Sequence, residues 1–199
     1  MSTEEARVRA AAALRDLNHA FATHDPDDAT LAALEAFARD RAAALDPTPI
    51  RDRYTLMHTD GRAGFEDRAV AGRSNPTSIE FDLEYEGETA VVRFMFRRAF
   101  EGAPGRAHGG MVAAAFDDVT GFVIGLLREP AFTGTLSVRY NAPVPVEEPL
   151  VMRSWLRGRE GRKLFIDAEC HAGDRQVATC EAIYVTVDPS YFGNMLEPR

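Results

Sequence analysis

Residues 105–127 read GRAHGGMVAAAFDDVTGFVIGLL, and what such a stretch needs around it decides the fold. After Gly109-Gly110 the chain runs to Leu127 without a proline, and Met111, Val112, Phe116, Val119, Phe122, Val123, Ile124 and Leu126 sit among alanines. A helix apolar on nearly every side must be covered on nearly every side. Asp117 and Asp118 stand in its middle, where an ionised carboxylate is costly unless paired, hydrogen-bonded or solvated in a cleft.

The flanking sequence supplies strands to cover it. Residues 78–85 (SIEFDLEY) alternate apolar and polar, and residues 89–96 (TAVVRFMF) follow across Glu86-Gly87-Glu88, which predicts a hairpin with one wet face. Beyond the helix, residues 133–141, 150–158, 164–171 and 176–187 are each bounded by Gly, Pro or acidic turns. The expected class is α+β: one long helix among antiparallel strands. A two-residue turn at Gly173-Asp174 would set Cys170 opposite Val177 rather than Cys180, leaving two free thiols.

Ahead of this lies a helical preface. Ala6, Ala10, Ala13, Leu14, Leu17, Ala20 and Phe21 recur at helical spacing up to Thr23. Asp25-Pro26-Asp27-Asp28 ends that helix and caps a second, with Leu31, Leu34, Ala38 and Leu45 on one face, which Asp46-Pro47-Thr48-Pro49 closes. The organisation expected is a helical extension and linker over 1–60, a core domain over 61–190 and a tail over 191–199. Both helices are expected to pack on the core through their apolar faces.

Composition excludes several classes. The net charge of −8 disfavours a nucleic-acid partner, and Lys163 is the one lysine among 23 cationic residues. The central helix is long enough to raise the question of a membrane span, but its two aspartates and the strands after it predict a buried helix in a cytoplasmic protein. There is no G-x-S-x-G, no phosphate loop and no dinucleotide fingerprint. His19, His24, His58, His108 and His171 lack ligand spacing, so neither a metal nor an organic cofactor is expected. His19 and His24 read as solvated.

His108-Gly109-Gly110 opens the helix, where the first backbone N–H groups have no intrahelical partner and the dipole favours negative charge. Such donors suit an oxyanion, although the same glycines would serve a plain tight entry into the helix. His108 and Asp117 are nine residues apart, roughly 13 Å along a helix. One site within a chain cannot hold both, whereas two antiparallel copies of the helix could bring them together.

In order and spacing, Asn75-Pro76, FEGAPGRAHGG over 100–110, Asp117, TGTLSVRYNAP over 133–143, Val144-Pro145-Val146 and Gly161-Arg162-Lys163 carry a resemblance. Over residues 67–187 the chain resembles the hotdog-fold acyl-CoA thioesterases of the phenylacetate-pathway (PaaI-like) type, in the 4-hydroxybenzoyl-CoA thioesterase superfamily. The resemblance implies an antiparallel sheet wrapped around one helix, and a homodimer or homotetramer paired sheet edge to sheet edge. It implies that Asp117 is the catalytic carboxylate, as nucleophile or general base. Gly109, with Gly110, would donate N–H groups to the thioester oxygen, His108 would orient the loop or touch substrate, and Thr133 would place water or the carboxylate. Asn75, Tyr140, Asn141, Pro143, Arg159, Gly161, Arg162 and Lys163 match positions that hold coenzyme A. Gly102 departs from relatives that carry Asn there. Asp118 is expected to be a structural carboxylate at the dimer interface.

The implied reaction is hydrolysis of an acyl-CoA thioester. A silent acyl-CoA-binding or regulatory protein of the same fold is the alternative, and hydration or dehydration of an acyl-CoA would want a principal histidine. Nothing in the sequence names the acyl group.

Overall fold

The computed structural model describes residues 2–52 and 66–188. The expected boundary near residue 60 and the tail over 191–199 fall outside them, as does His58. Helix α1 (Thr3–Thr23) starts in a capping box, with Ser2 accepting from the Glu5 N–H and Glu5 reaching back to the Ser2 N–H. Helix α2 (Asp28–Leu45) is capped by Asp27, which accepts from the Thr30 N–H at 2.8 Å. The remaining elements are β1 (Asp82–Glu86), β2 (Thr89–Phe94), helix α3 (Gly109–Leu127), β3 (Ala131–Tyr140), β4 (Leu150–Glu160), β5 (Lys163–Ala172) and β6 (Arg175–Thr186).

The six strands form one antiparallel sheet in the order β1-β2-β4-β5-β6-β3, and α3 packs against five of them. Burial alternates along the strands because successive side chains point to opposite faces. On β5 the inner row is Leu164, Ile166, Ala168 and Cys170, and on β6 it is Ala178, Cys180, Ala182 and Tyr184. These rows meet Val112, Ala115, Phe116, Val119, Phe122 and Val123 of α3. Truncating a core phenylalanine such as Phe116 to alanine would cost roughly 3–5 kcal/mol.

The sheet covers one side of α3. The other side, from Gly109 and Gly110 through Asp117 to Gly125, stays exposed in the single chain, so the expectation of burial all round is not met by one copy. Strand β3 lies at the sheet edge, ten residues long and largely exposed.

Three expectations change in detail. Strand β1 begins at Asp82, not at residue 78: Ile79 is buried, but its N–H donates to the Val70 carbonyl within a loop. Cys170 pairs with Ala178 rather than Val177, because a bulge after Cys170 adds a residue to β6. Both cysteines are free and buried, and burial pushes each thiol up to about 12. The N-terminal helices also differ. Helix α1 buries Ala11, Arg15 and His19, while Leu14, Leu17 and Phe21 face outward, and α2 buries no residue. Alanine methyls bury little area, so hydrogen bonding by Arg15 and His19 decides which face docks.

Candidate active site

Helix α3 begins where the 98–108 segment turns inward. A 3₁₀ turn (Arg98–Phe100) leads into it, and the Phe100 carbonyl accepts the His108 N–H at 2.8 Å. Glu101 accepts hydrogen bonds from the Gly105 N–H and from Arg98, which hold its carboxyl below the usual range. His108 is the N-cap, and its Nδ1 accepts the Gly110 N–H at 3.1 Å. The Gly110 donor is thus committed to the cap. The Gly109 N–H has no partner among the described residues, as expected of a first helical position. The Tyr140 hydroxyl donates to the Gly109 carbonyl at 2.6 Å and so, from the far end of β3, pins the Gly109–Gly110 peptide that His108 also holds.

Eight residues along α3, the Asp117 side chain is exposed. The Thr133 hydroxyl donates to its Oδ1 at 2.9 Å. Thr133 is aimed by a bulge: β3 pairs Thr133 with Tyr184 and Thr135 with Ile183, leaving Gly134 unpaired. A Cβ at Gly134 would lie 3.3 Å from the Ile183 carbonyl and the Val185 side chain. The buried Tyr184 hydroxyl donates to the Asp117 carbonyl at 3.0 Å and lies 2.9 Å from Thr120 Oγ1. Backbone and side chain of Asp117 are therefore both held. Sequence reasoning missed Tyr184 and Gly134, though each left a signal: an inward tyrosine needs a partner for its hydroxyl, and a glycine inside a strand marks a bulge.

Asp118 turns away from Asp117 toward the segment after residue 66. Burial raises its carboxyl above the usual range, opposed by Arg68 and by the Ala71 N–H, and reinforced by Asp117. Within the single chain Asp118 thus meets Arg68 and the Ala71 N–H.

The coenzyme A candidates divide into two groups. Tyr140 and Pro143 line a cavity of about 490 Å³ together with Gly102, Arg106, His108 and Gly109. Asn141 is next to them in sequence but bonds Gln176. Arg159, Gly161, Arg162 and Lys163 lie at the other end of the sheet, where β5 starts beside Thr186 and Val185. Arg159 is clamped by both oxygens of Glu129 at 2.7 and 2.9 Å, and Arg162 donates to the Thr186 carbonyl. Lys163 is exposed. Asn75 joins neither group. Its side chain accepts from Thr77, and its carbonyl accepts from Arg15 at 2.8 Å.

Within one chain, then, the free N–H of Gly109 and the carboxylate of Asp117 stand about 12 Å apart on one exposed face of the helix. Among the described residues no three His, Cys, Asp or Glu side chains gather as a metal site requires.

Residues 104–179 match the thioesterase superfamily. The chain is similar to the acyl-coenzyme A thioesterases THEM4 of Mus musculus (26% identical) and Rattus norvegicus (30%), each over 154 residues. Those matches take in 72% of this chain and 66% of either relative, just under two thirds of their length. Among solved structures, the thioesterase superfamily protein RHA08564 superimposes with a TM-score of 0.78 at 24% identity, covering 90% of this chain and 94% of that one. A hypothetical thioesterase protein from Streptococcus pneumoniae TIGR4, solved with coenzyme A, aligns with a TM-score of 0.52 at 17% identity over 54% of this chain and 89% of its own.

Proposed function

Because this chain belongs to the thioesterase superfamily and carries its hotdog fold, we infer that it hydrolyses an acyl-coenzyme A thioester to the free acid and coenzyme A. The observation that carries the reading is the exposed Asp117 carboxylate, fixed by Thr133 on the face of α3 that also bears the unpartnered Gly109 N–H. Asp117 attacks the thioester carbon directly or removes a proton from the water that does. Both routes need its charge. The carbonyl oxygen that becomes negative is received by the Gly109 N–H, which stands next to the Gly109–Gly110 peptide that Tyr140 and the His108 cap hold in place. A thiolate leaves readily, so a carboxylate and one oxyanion donor serve without a serine relay.

The 12 Å gap within one chain requires two copies. If α3 packs antiparallel on a second α3, Asp117 of one copy meets Gly109 of the other. The exposed edge strand β3 is a template on which the two sheets can join. The same operation brings the Arg162–Lys163 hairpin of one copy toward the Tyr140–Pro143 cavity of the other, uniting the two groups of coenzyme A candidates. The relatives called acyl-coenzyme A thioesterases and the neighbour solved with coenzyme A support this substrate class. The test is a panel of short, long and aromatic acyl-CoAs with free thiol as the readout. Release of coenzyme A from at least one member is expected, and no release from any would refute the reading.

A further inference from the structure

Helix α1 lies outside the stretch matched by the superfamily, yet it reaches the segment that presents the Gly109 donor. The 3₁₀ turn at Arg98–Phe100 opens without a cap of its own, since Arg97 offers no side-chain hydrogen bond there. Its first donors are satisfied from elsewhere: the Arg98 N–H by Glu147 at 2.8 Å and the Ala99 N–H by His19 Nδ1 at 3.2 Å. The His19 ring also stands edge-on to Phe100, with centroids 5.2 Å apart. Phe100 in turn gives its carbonyl to the His108 N–H, one residue before Gly109. From His19 to the donor peptide the path is therefore a hydrogen bond, a turn and a second hydrogen bond.

We propose that His19 is a positioning residue for the oxyanion donor, anchoring the 98–108 segment to the N-terminal helix so that the Gly109 N–H keeps its direction. The role rests on the thioesterase reading of the site. The ring is 4% exposed, and it is flanked by two further ties of α1. Arg15, itself 4% exposed, donates to the carbonyls of Arg73 and Asn75 and to Glu80, and Asp16 pairs with Arg97 at 2.7 Å. These ties keep the helix docked when His19 is altered, so the His19 anchor can be tested separately from docking. A donor misplaced by about 1 Å can lose up to 10²-fold in rate, which makes an anchor two hydrogen bonds away from the donor consequential.

The test compares wild type with His19→Leu, which keeps bulk but loses the acceptor, and His19→Asn, whose side-chain oxygen can replace Nδ1. Two readouts are taken at pH 7.5: amide hydrogen exchange across residues 98–110, and kcat and KM on an acyl-CoA that the wild type hydrolyses. In His19→Leu, exchange in 98–110 should rise about tenfold, the worth of one hydrogen bond, with β5 and β6 unchanged. Its kcat should fall about tenfold while KM stays within about twofold, and His19→Asn should restore both. Unchanged exchange in His19→Leu overturns the anchor. Raised exchange with undiminished kcat overturns the link to the donor. A wild type that hydrolyses no acyl-CoA defeats the thioesterase reading instead, and the exchange data then decide the anchor alone.

Discussion

The Thr133 hydroxyl donates to Asp117 Oδ1 at 2.9 Å, tying edge strand β3 to the middle of α3 across sixteen residues of sequence. A hydrogen bond to a charged group is worth about 1.5–3 kcal/mol, so Thr133→Val should lower kcat at least tenfold. Thr133→Ser should keep most of it. Turnover of Thr133→Val within twofold of the parent would remove Thr133 from the account.

His108 acts as a helix cap, and an asparagine caps as well as a histidine. His108→Asn should hold its melting temperature and lose less than tenfold in kcat. His108→Leu forfeits about 1 kcal/mol of capping, equivalent to about 2–4 °C in a domain of this size. A proton-transferring histidine would show itself differently, through a loss of roughly 10²- to 10⁴-fold in His108→Asn.

Burial holds His19 below its ordinary value of 6.5, and Arg97 acts in the same direction, while Glu147, Asp16 and Glu80 oppose it and Arg15 and Arg93 share its cavity. The neutral ring is the form that accepts from Ala99. Its stabilisation is therefore complete above about 6.5 and is lost as pH falls through the depressed folded value. Melting temperatures measured from pH 7.5 to 5 should fall less in His19→Asn than in wild type. Parallel curves would contradict the assignment.

Thiols pushed up to about 12 and buried in the core do not react as thiolates. A disulfide reagent at pH 8 should modify neither Cys170 nor Cys180 in the folded protein, and both after denaturation. Rapid labelling of the native chain would mean that β5 and β6 open.

The central helix, its glycine entry and the hairpins after it were legible because periodicity and turn residues act locally. Residues 3–23 were read to the correct end, but with the wrong face inward. Leu14, Leu17 and Phe21 suggested an apolar seam, whereas Arg15 donates to loop carbonyls and His19 accepts from an open turn, partners that local pattern cannot reveal. Asp117 and Thr133 were found through the resemblance. Their contact depends on a bulge at Gly134 and on Tyr184 arriving from β6, long-range pairings that spacing does not encode. The coenzyme A candidates were carried over as positions that hold one ligand, yet within one chain Tyr140 and Lys163 lie at opposite ends of the sheet, and the proposed second copy is what would join them.

A complementation between two inactive variants addresses the shared site most directly. Asp117→Asn keeps size and loses charge. Gly109→Pro removes the N–H while respecting the helix, since proline fits a first helical position and His108 before it is extended (φ −62°, ψ 130°). Each alone should lose at least about 10²-fold in kcat, and Asp118→Asn, as control, far less. Co-expressed with different tags, the two variants form mixed dimers in which one site keeps both Asp117 and the Gly109 N–H, so random pairing should restore about a quarter of wild-type activity. Near-parental turnover by Asp117→Asn, or no activity recovered in purified mixed dimers, would contradict a carboxylate and an oxyanion donor supplied by different copies of the chain.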